Sequence, residues 1–147
     1  MEEWLFFLAI PFACVFIYEV LKYFVPIGKY ENSARKLTLV LAIVLLVLGI
    51  LNLDKLYTSV TFITTSAWLL SQYFWSKKVY LAQFYFSYIV ALIPFFMVNG
   101  VLTSLPVVAY NDLENLSLRL FSIPVEDTIY MLLLLMMNTS IYEHLKE

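Results

Sequence analysis

Five stretches of the chain are long and apolar enough to cross a lipid bilayer as helices. They cover residues 3–24, 37–53, 56–75, 80–101 and 124–145, and a membrane-spanning helix needs ~20 mostly apolar residues. The composition agrees, because 63% of the residues are hydrophobic and only 14% are charged, which is too little charge for a water-facing surface. The sequence therefore predicts an all-α integral membrane protein of about five transmembrane helices, with the lipid bilayer as its solvent.

The positions of the basic residues predict the orientation. Seven of the nine lysines and arginines fall at one end of the predicted bundle, and these are Lys22, Lys29, Arg35, Lys36, Lys77, Lys78 and Lys146. The opposite end carries only Lys55 and Arg119. Because cytoplasmic loops carry an excess of such residues, we expect a multi-pass protein of the cell (inner) membrane with its N-terminus outside and its C-terminus in the cytoplasm. The net charge of −2 gives no reason to expect a nucleic-acid partner, and the single cysteine offers no metal-ligand pattern.

The connection before the last helix, residues 102–123, is too polar and interrupted to cross the bilayer. It contains the turn-rich run YNDLEN at 110–115, after which three leucines alternate with Ser117 and Arg119. That alternation predicts a short extended or hairpin segment in the outer loop. Both a plain surface loop and a lid over a site between the helices fit this pattern.

The first and last helices repeat one another at an offset of 124 residues. Glu2 and Glu3 fall on Glu126 and Asp127, residues 17–19 (IYE) fall on 141–143, and residues 21–22 (LK) fall on 145–146. Because both helices run in the same direction, the repeat is parallel and brings both acid pairs to one face of the membrane. We interpret residues 1–26 as the end of a first repeat and residues 34–147 as a complete second repeat. Only the second copy has a proline ahead of its acids, so we expect an N-terminally truncated first repeat.

The two acid pairs at the outer ends are the candidate catalytic residues: Glu126, Asp127, Glu2 and Glu3. In a structural interpretation, acids in a first turn interact with the helix dipole and with unpaired amides. In a chemical one, a neutral carboxylic acid in an apolar pocket protonates an olefin, and an ionised neighbour removes a proton afterwards. The repetition of the pair in an otherwise almost uncharged bundle favours the chemical interpretation.

Aromatic and amide side chains are the candidate substrate contacts. The rings of Trp4, Phe7 and Tyr130 lie within about one or two helical turns of the acids, where ring faces can stabilise a carbocation. Asn138 is polar in the middle of a helix and fits either an interhelical hydrogen bond or the lining of a substrate tunnel. We also expect Asn99 to contact the substrate.

Two further polar groups have simpler interpretations. At the inner ends, Glu19 and Glu143 precede Lys22 and Lys146 by three residues, which predicts an ion pair within each helix. The third helix carries hydroxyl side chains that fit either interhelical hydrogen bonds or a lined path, namely Thr58, Ser59, Thr61, Thr65 and Ser66.

Three tracts of the sequence carry a family resemblance. Residues 107–115 (VVAYNDLEN) and 119–127 (RLFSIPVED) closely resemble the membrane-integral lycopene cyclase domain family. The opening residues 2–7 (EEWLFF) and 10–19 (IPFACVFIYE) are similar to the first-half motif of that family, and residues 93–100 (IPFFMVNG) are similar to its second half. The resemblance covers nearly the whole chain but departs from the family pattern before Glu2, where the proline is missing.

The resemblance implies a carotenoid-biosynthesis enzyme, a lycopene β-cyclase of the intramolecular lyase or isomerase type. Its substrate would be lycopene or a related linear carotenoid, whose ψ-end is protonated, closes into a ring and loses a proton. The family's acids carry over to Glu126 and Asp127, and to Glu2 and Glu3. Members of the family consist of two small subunits or of one chain with two homologous halves, so a homologous subunit or the missing N-terminal half is the implied partner. No cofactor is expected, because the chain has only three glycines and no dinucleotide-binding fingerprint.

Two other functions fit the same residues. One is a non-catalytic carotenoid-binding or assembly subunit in which the acids only cap helices. The other is a small membrane transporter of the parallel-repeat type, with the polar third helix lining its path.

Overall fold

A computed structural model describes residues 2–75, 80–104, 114–120 and 122–146, with the side chains of the first helix described from Ala9 onward. Its elements in chain order are α1 (Glu2–Phe24), a 3₁₀ turn (Gly28–Tyr30), α2 (Glu31–Leu51), α3 (Leu56–Trp75), α4 (Leu81–Ser104), β1 (Arg119–Leu120), β2 (Ile123–Pro124) and α5 (Val125–Leu145). Long helices dominate this architecture, so the all-α prediction is confirmed.

The segment before α5 forms the hairpin that the sequence predicts. Strands β1 and β2 are antiparallel, with Arg119 opposite Pro124 and Leu120 opposite Ile123. The alternating residues that precede β1 are not part of a strand, because Ser117 adopts a left-handed conformation with φ of 55°. The chain therefore turns at 114–118 instead of continuing as an extended ribbon.

Among the residues that the structure describes, two helical segments meet the length and apolarity of a membrane span, namely Gly28–Leu51 and Leu81–Thr103. Helices α3 and α5 are less apolar than these two, because they carry more hydroxyl, amide and charged side chains. Large apolar side chains are nevertheless exposed around the bundle, including Val40, Ile43 and Val47 on α2 and Ile89 and Ile93 on α4. Exposed apolar surface of this extent is unusual on a soluble monomer and supports association with a membrane. The five-span interpretation and its orientation stay predictions.

Helices α2 and α3 form a closely packed antiparallel pair. A Cβ atom added at Gly49 would lie 2.8 Å from Cγ1 of Ile63, so only glycine permits this approach. The hydroxyl of Ser66 donates a hydrogen bond of 2.7 Å to the carbonyl of Ala42. Ser66 therefore makes an interhelical hydrogen bond, one of the two roles that the sequence left open for it.

Two acids cap helices to which they do not belong. The carboxylate of Glu31, at the start of α2, accepts hydrogen bonds of 3.2 and 2.9 Å from the amides of Leu81 and Ala82. Glu114 accepts from the amide of Leu56 with its carboxylate (3.3 Å) and from the amide of Tyr57 with its carbonyl (3.1 Å). These amides belong to the first turns of α4 and α3. Amides in a first turn have no hydrogen-bond acceptor within their own helix.

The carboxyl-terminal ends of α1 and α5 lie side by side and exchange their ion pairs. Lys146 Nζ donates to both carboxylate oxygens of Glu19 at 3.0 Å. In the other direction, Lys22 Nζ donates to Glu143, which also accepts the Tyr18 hydroxyl at 2.8 Å. The ion pair predicted within α1 is present, with Lys22 Nζ and Glu19 Oε1 4.0 Å apart, but each of these two residues makes a shorter contact with α5. The parallel packing of the two helices thus adds ion pairs between the helices that the sequence did not predict.

Candidate functional site

The acids Glu126 and Asp127 lie in the first turn of α5 and are buried. Glu126 is 0% exposed and Asp127 is 8% exposed. The helix begins directly after Pro124, whose φ of −58° suits a helix start. The amide of Val125 donates to the carbonyl of Leu118 at 3.0 Å. The hairpin thereby fixes the point at which α5 begins.

Glu126 has one oxygen that accepts two hydrogen bonds and one that accepts none. Its Oε1 accepts from the hydroxyl of Thr58 at 2.6 Å and from the amide of Leu116 at 2.7 Å. Its Oε2 is buried and has no hydrogen-bond partner among the residues that the structure describes. A buried carboxyl oxygen without a partner is costly. It is also the position at which this carboxyl can take up or release a proton without losing a hydrogen bond.

Asp127 is held by the residue next to Thr58. The hydroxyl of Tyr57 donates to Oδ1 of Asp127 at 2.6 Å. Consecutive hydroxyl residues at the start of α3 therefore meet consecutive acids at the start of α5. Helix α4 joins them, since the hydroxyl of Tyr88 donates to the carbonyl of Thr128 at 3.0 Å. Three helices thus converge on the acid pair.

The turn at residues 114–118 closes over the acids from outside the bundle. Its Leu116 amide is the second donor to Glu126, and its Asn115 side chain is 2% exposed. Asn115 Oδ1 accepts the amide of Ser117 at 2.7 Å, which stabilises the turn. Residues 114–118 therefore contact the acid pair directly. The choice between a loop and a lid concerns the whole connection, and residues 105–113 and 121 of it lie outside the described residues.

The capping interpretation of Glu126 has little support in its contacts. The hydrogen bonds of Glu126 go to α3 and to the 114–118 turn. Pro124, the residue before α5, makes no side-chain cap either. Glu126 therefore holds other elements against the start of α5 and does not satisfy the first-turn amides of its own helix.

The other predicted site residues lie in different surroundings. Tyr130 is 49% exposed on α5. The amide nitrogen of Asn138 donates to the carbonyl of Leu134 at 2.8 Å, and that of Asn99 donates to the carbonyl of Phe95 at 3.1 Å. Both amides therefore bond their own helices, and Asn138 is about 18 Å along α5 from Glu126. The side chains of Glu2, Glu3, Trp4 and Phe7 lie outside the described residues.

Sequence reasoning missed Tyr57 and the Leu116 amide and gave Thr58 only a packing or lining role. A usable signal was present, since Tyr57 and Thr58 are adjacent hydroxyl residues at the start of a membrane helix. Their pairing with the acids is not readable from the sequence, because 68 to 70 residues separate the partners. Only the packing of α3 on α5 brings them together.

A crevice lies further along α3 and α5, between residues 64–75 and residues 133–144. It has a volume of about 690 Å³, and its walls include Trp68, Leu133 and Met137. Residues 126, 133, 137 and 140 of α5 follow at helical spacing and therefore share one face of the helix. The indole nitrogen of Trp68 is buried without a hydrogen-bond partner in the described part of the chain. The crevice is thus mainly apolar and lies on the same face of α5 as Glu126, but it begins about 10 Å along the helix from that acid, and neither Glu126 nor Asp127 lines it.

A family model described as lycopene cyclase matches the chain over residues 1–21 and 54–145. The matched segments include α3, α4 and α5 with the acid pair, and most of α1. They leave out residues 22–53, which contain α2. Comparisons with curated proteins and with solved structures gave no match.

Proposed function

Since this chain belongs to the lycopene cyclase family, we propose that it forms β-ionone rings from the ψ-ends of lycopene or a related linear carotenoid. The reaction is an intramolecular, redox-neutral cyclisation in which Glu126 and Asp127 act as acid and base. Membership of the family assigns the chain to carotenoid biosynthesis. The ring type, the acid–base roles and the residues that carry them are our proposal.

The observation that carries the proposal is the state of the Glu126 carboxyl. It is fully buried, two donors hold one of its oxygens, and the other oxygen has no partner in the described structure. A carboxyl group fixed in this way can present a proton to an apolar substrate while water is excluded. The adjacent acid, Asp127, accepts a hydrogen bond from the Tyr57 hydroxyl. In our proposal Asp127 is the base that removes the final proton.

The proposed steps balance without any added reagent. Glu126 gives its proton to the terminal double bond of the ψ-end, which leaves a carbocation. An internal double bond of the same polyene attacks that cation, so that one carbon–carbon bond forms and the ring closes. Asp127 then takes a proton from the ring, and the electron pair of that bond becomes the new double bond. The product has the formula of the substrate, and proton exchange between the two acids restores the site.

The apolar surface and the crevice fit a hydrocarbon substrate in a membrane. We propose that all five helices cross the bilayer, with the acid end outside and the end that carries Lys22 and Lys146 in the cytoplasm. The crevice lined by Trp68, Leu133 and Met137 would hold part of the linear polyene. A polyene enters such a site from the lipid without crossing water.

Replacing Glu126 by glutamine tests the assignment. The substitution keeps the size and one acceptor oxygen but removes the transferable proton. In the organism's own gene, where any further subunit is present, we expect Glu126→Gln to lower cyclic carotenoid by about 100-fold or more and to let the linear precursor accumulate. Pigment analysis by chromatography and the membrane abundance of the protein are measured together.

The matched control is Asp54→Asn, a change at an exposed acid beside the start of α3. It should leave the pigment profile unchanged. Normal cyclic product from Glu126→Gln at normal protein abundance would remove Glu126 from the mechanism.

A further inference from the structure

The crevice between α3 and α5 is aligned with Glu126 although it does not touch it. One face of α5 carries residues that follow at spacings of three and four, namely 126, 130, 133, 137, 140 and 144. The last four of these line the crevice. It therefore extends from about 10 Å to about 27 Å away from Glu126 along the helix.

The far part of the crevice, formed by Ser71, Ile141 and His144, lies where the second end of a bound carotenoid would fall. These residues are about 20–27 Å along the helices from Glu126 and its partner Thr58. An extended carbon chain advances ~1.2 Å per bond, so the about 19 bonds between the two end groups of a C40 carotenoid span roughly 23 Å. A carotenoid with its reacting end at Glu126 would thus place its other end in the far part.

The lining of the crevice suits a hydrocarbon, although it contains hydroxyl residues. The hydroxyls of Thr64, Ser71 and Ser140 each donate to a carbonyl of their own helix, at 2.6, 2.7 and 3.0 Å. The carboxamide oxygen of Gln72 accepts the hydroxyl of Tyr80. These polar groups are therefore engaged within the protein, and the walls offer mainly carbon contacts to a ligand.

The crevice is wider than a linear polyene requires. Its volume of about 690 Å³, spread over the ~17 Å of helix between Leu133 and His144, corresponds to an average width of about 7 Å. A single row of carbon atoms in van der Waals contact with both walls needs only ~4 Å. The terminal isopropylidene group of a linear end is flat, whereas a closed β-ring carries two methyl groups on one tetrahedral carbon and is thick in both directions. The crevice has room for either.

We propose that the far part of this crevice is the specificity site for the end of the carotenoid that is not reacting, and that it accepts a closed ring as well as a linear end. The inference rests on the proposed function, since it places the reacting end at Glu126. After the first ring has formed, the molecule leaves, turns end for end and binds again with its ring between Ser71 and Ile141. The second end then closes, so the final product carries a ring at each end.

Narrowing the far part tests the proposal. In the organism's own gene, where any further subunit is present, Ser71→Phe should slow the second cyclisation by about tenfold more than the first, because a ring tolerates added bulk less than a flat end does. Monocyclic carotenoid should then accumulate. Ile141→Trp narrows the same part from the opposite wall, at a residue that is 48% exposed, and should act in the same direction.

The matched control is Ser33→Phe, at an exposed serine of α2 outside the crevice, which should leave the ratio of monocyclic to bicyclic carotenoid unchanged. Chromatography of the pigments and the membrane abundance of each variant are measured together. A wild-type product with only one ring, or an equal effect of Ser71→Phe on both cyclisations, would overturn the proposal.

A binding measurement separates this inference from the cyclase assignment. The full chain with Glu126→Gln, purified in detergent with any polypeptide that accompanies it, is titrated with a carotenoid that has one β-ring and one linear end. Quenching of tryptophan fluorescence by the polyene reports binding, because Trp68 and Trp75 line the crevice. Adding Ser71→Phe should raise the Kd for this carotenoid about tenfold and that for lycopene by less.

The two kinds of failure give different results. An unchanged Kd for the ring-ended carotenoid in the Ser71→Phe protein would overturn the specificity site, whatever the pigments show. Selective weakening of ring-ended binding by Ser71→Phe, together with a wild-type chain that forms no cyclic product, would refute the cyclase assignment and leave the crevice as a site for the ring end.

Discussion

Glu126 is unusual because it is a fully buried acid whose two oxygens have different surroundings. Burial of a carboxyl costs free energy unless its oxygens are bonded, and here the Thr58 hydroxyl and the Leu116 amide bond only Oε1. The two donors fix the plane of the carboxyl. They thereby fix the direction in which Oε2 faces, as the proton transfer that we propose for Glu126 requires.

Thr58→Val tests this positioning role at the scale of one hydroxyl. Valine has nearly the same shape but cannot donate, so Glu126 Oε1 loses one of its two hydrogen bonds. We expect cyclisation to slow by about tenfold, the equivalent of one buried hydrogen bond of about 1–3 kcal/mol. The rate at which cyclic carotenoid appears relative to its precursor measures it.

The matched control for Thr58→Val is Thr65→Val, two turns further along α3, where the hydroxyl donates to the carbonyl of Thr61 inside the helix. An equal effect of both substitutions would mean that Thr58 supports the helix and not the acid. A serine at position 58 should restore most of the rate, because it keeps the hydroxyl.

At this scale the sequence identified the acids as candidates but did not identify their hydrogen-bond donors. Glu126 and Asp127 stand out because they follow Pro124 and repeat Glu2 and Glu3. No local pattern identifies the donors, because Tyr57 and Thr58 lie on another helix and the Leu116 amide belongs to a turn set by Ser117. Backbone donors in particular have no sequence signature of their own.

Helix ends are stabilised by acids from distant elements. Glu31 belongs to α2 yet bonds the amides of Leu81 and Ala82 at the start of α4, and it is only 9% exposed. Glu114 does the same at the start of α3. Each acid satisfies amides that have no partner inside their helix and places a negative charge at the positive end of the helix dipole.

Glu31→Ala should therefore lower the stability of the bundle by about 1–2 kcal/mol, the usual cost of a lost N-terminal cap. Glu31→Gln should lie between Ala and wild type, because the amide retains one acceptor oxygen. Thermal unfolding of the detergent-solubilised protein, followed by circular dichroism, gives the order of the three proteins. Asp54→Ala, at an exposed acid, serves as the control, and a Glu31→Ala protein as stable as that control would contradict the capping role.

The helices were predictable from apolar length, but the start of α2 was not. The prediction of a helix over 37–53 corresponds to α2, which begins six residues earlier at Glu31. The first turns of α2 are polar and lie outside the apolar stretch, so apolar length measures the part of a helix that faces lipid and not its hydrogen-bonded extent. Glu31 lies in the first of these polar turns, and its hydrogen bonds to the amides of α4 hold that turn in place.

At the scale of the whole molecule, the ion pairs between α1 and α5 connect residues that the predicted repeat relates by its offset of 124 residues. The sequence predicted the equivalence of α1 and α5 from matching residues. It could not show that each lysine would prefer the acid of the other helix, since spacing of three residues suits an internal pair equally well. The choice depends on the distance between the helix axes, which is a property of the packed bundle.

The two exchanged pairs should contribute unequally to stability. Lys146 and Glu19 have 47% and 33% of their side chains exposed, so water screens their attraction. Glu143 is 12% exposed in its pair with Lys22 and also accepts the Tyr18 hydroxyl.

The hydrogen bond to Glu19 raises the pKa of the Lys146 ammonium. The charge of Lys146 in its pair with Glu19 is therefore fully present below the ordinary lysine pKa. It is lost only as the pH rises through the raised pKa of Lys146.

Double-mutant cycles of alanine substitutions measure each pair separately. For Glu19 and Lys146 we expect a coupling free energy of about 0.2–1 kcal/mol at neutral pH, and a larger one for Lys22 and Glu143, because a less exposed and doubly bonded carboxylate gains more from its partner. Unfolding in detergent gives the four free energies of each cycle. If the Lys22–Glu143 coupling were zero, the carboxyl-terminal ends of α1 and α5 would not be held by charge, and apolar contacts such as those of the buried Tyr18 ring would have to hold the two helices in register.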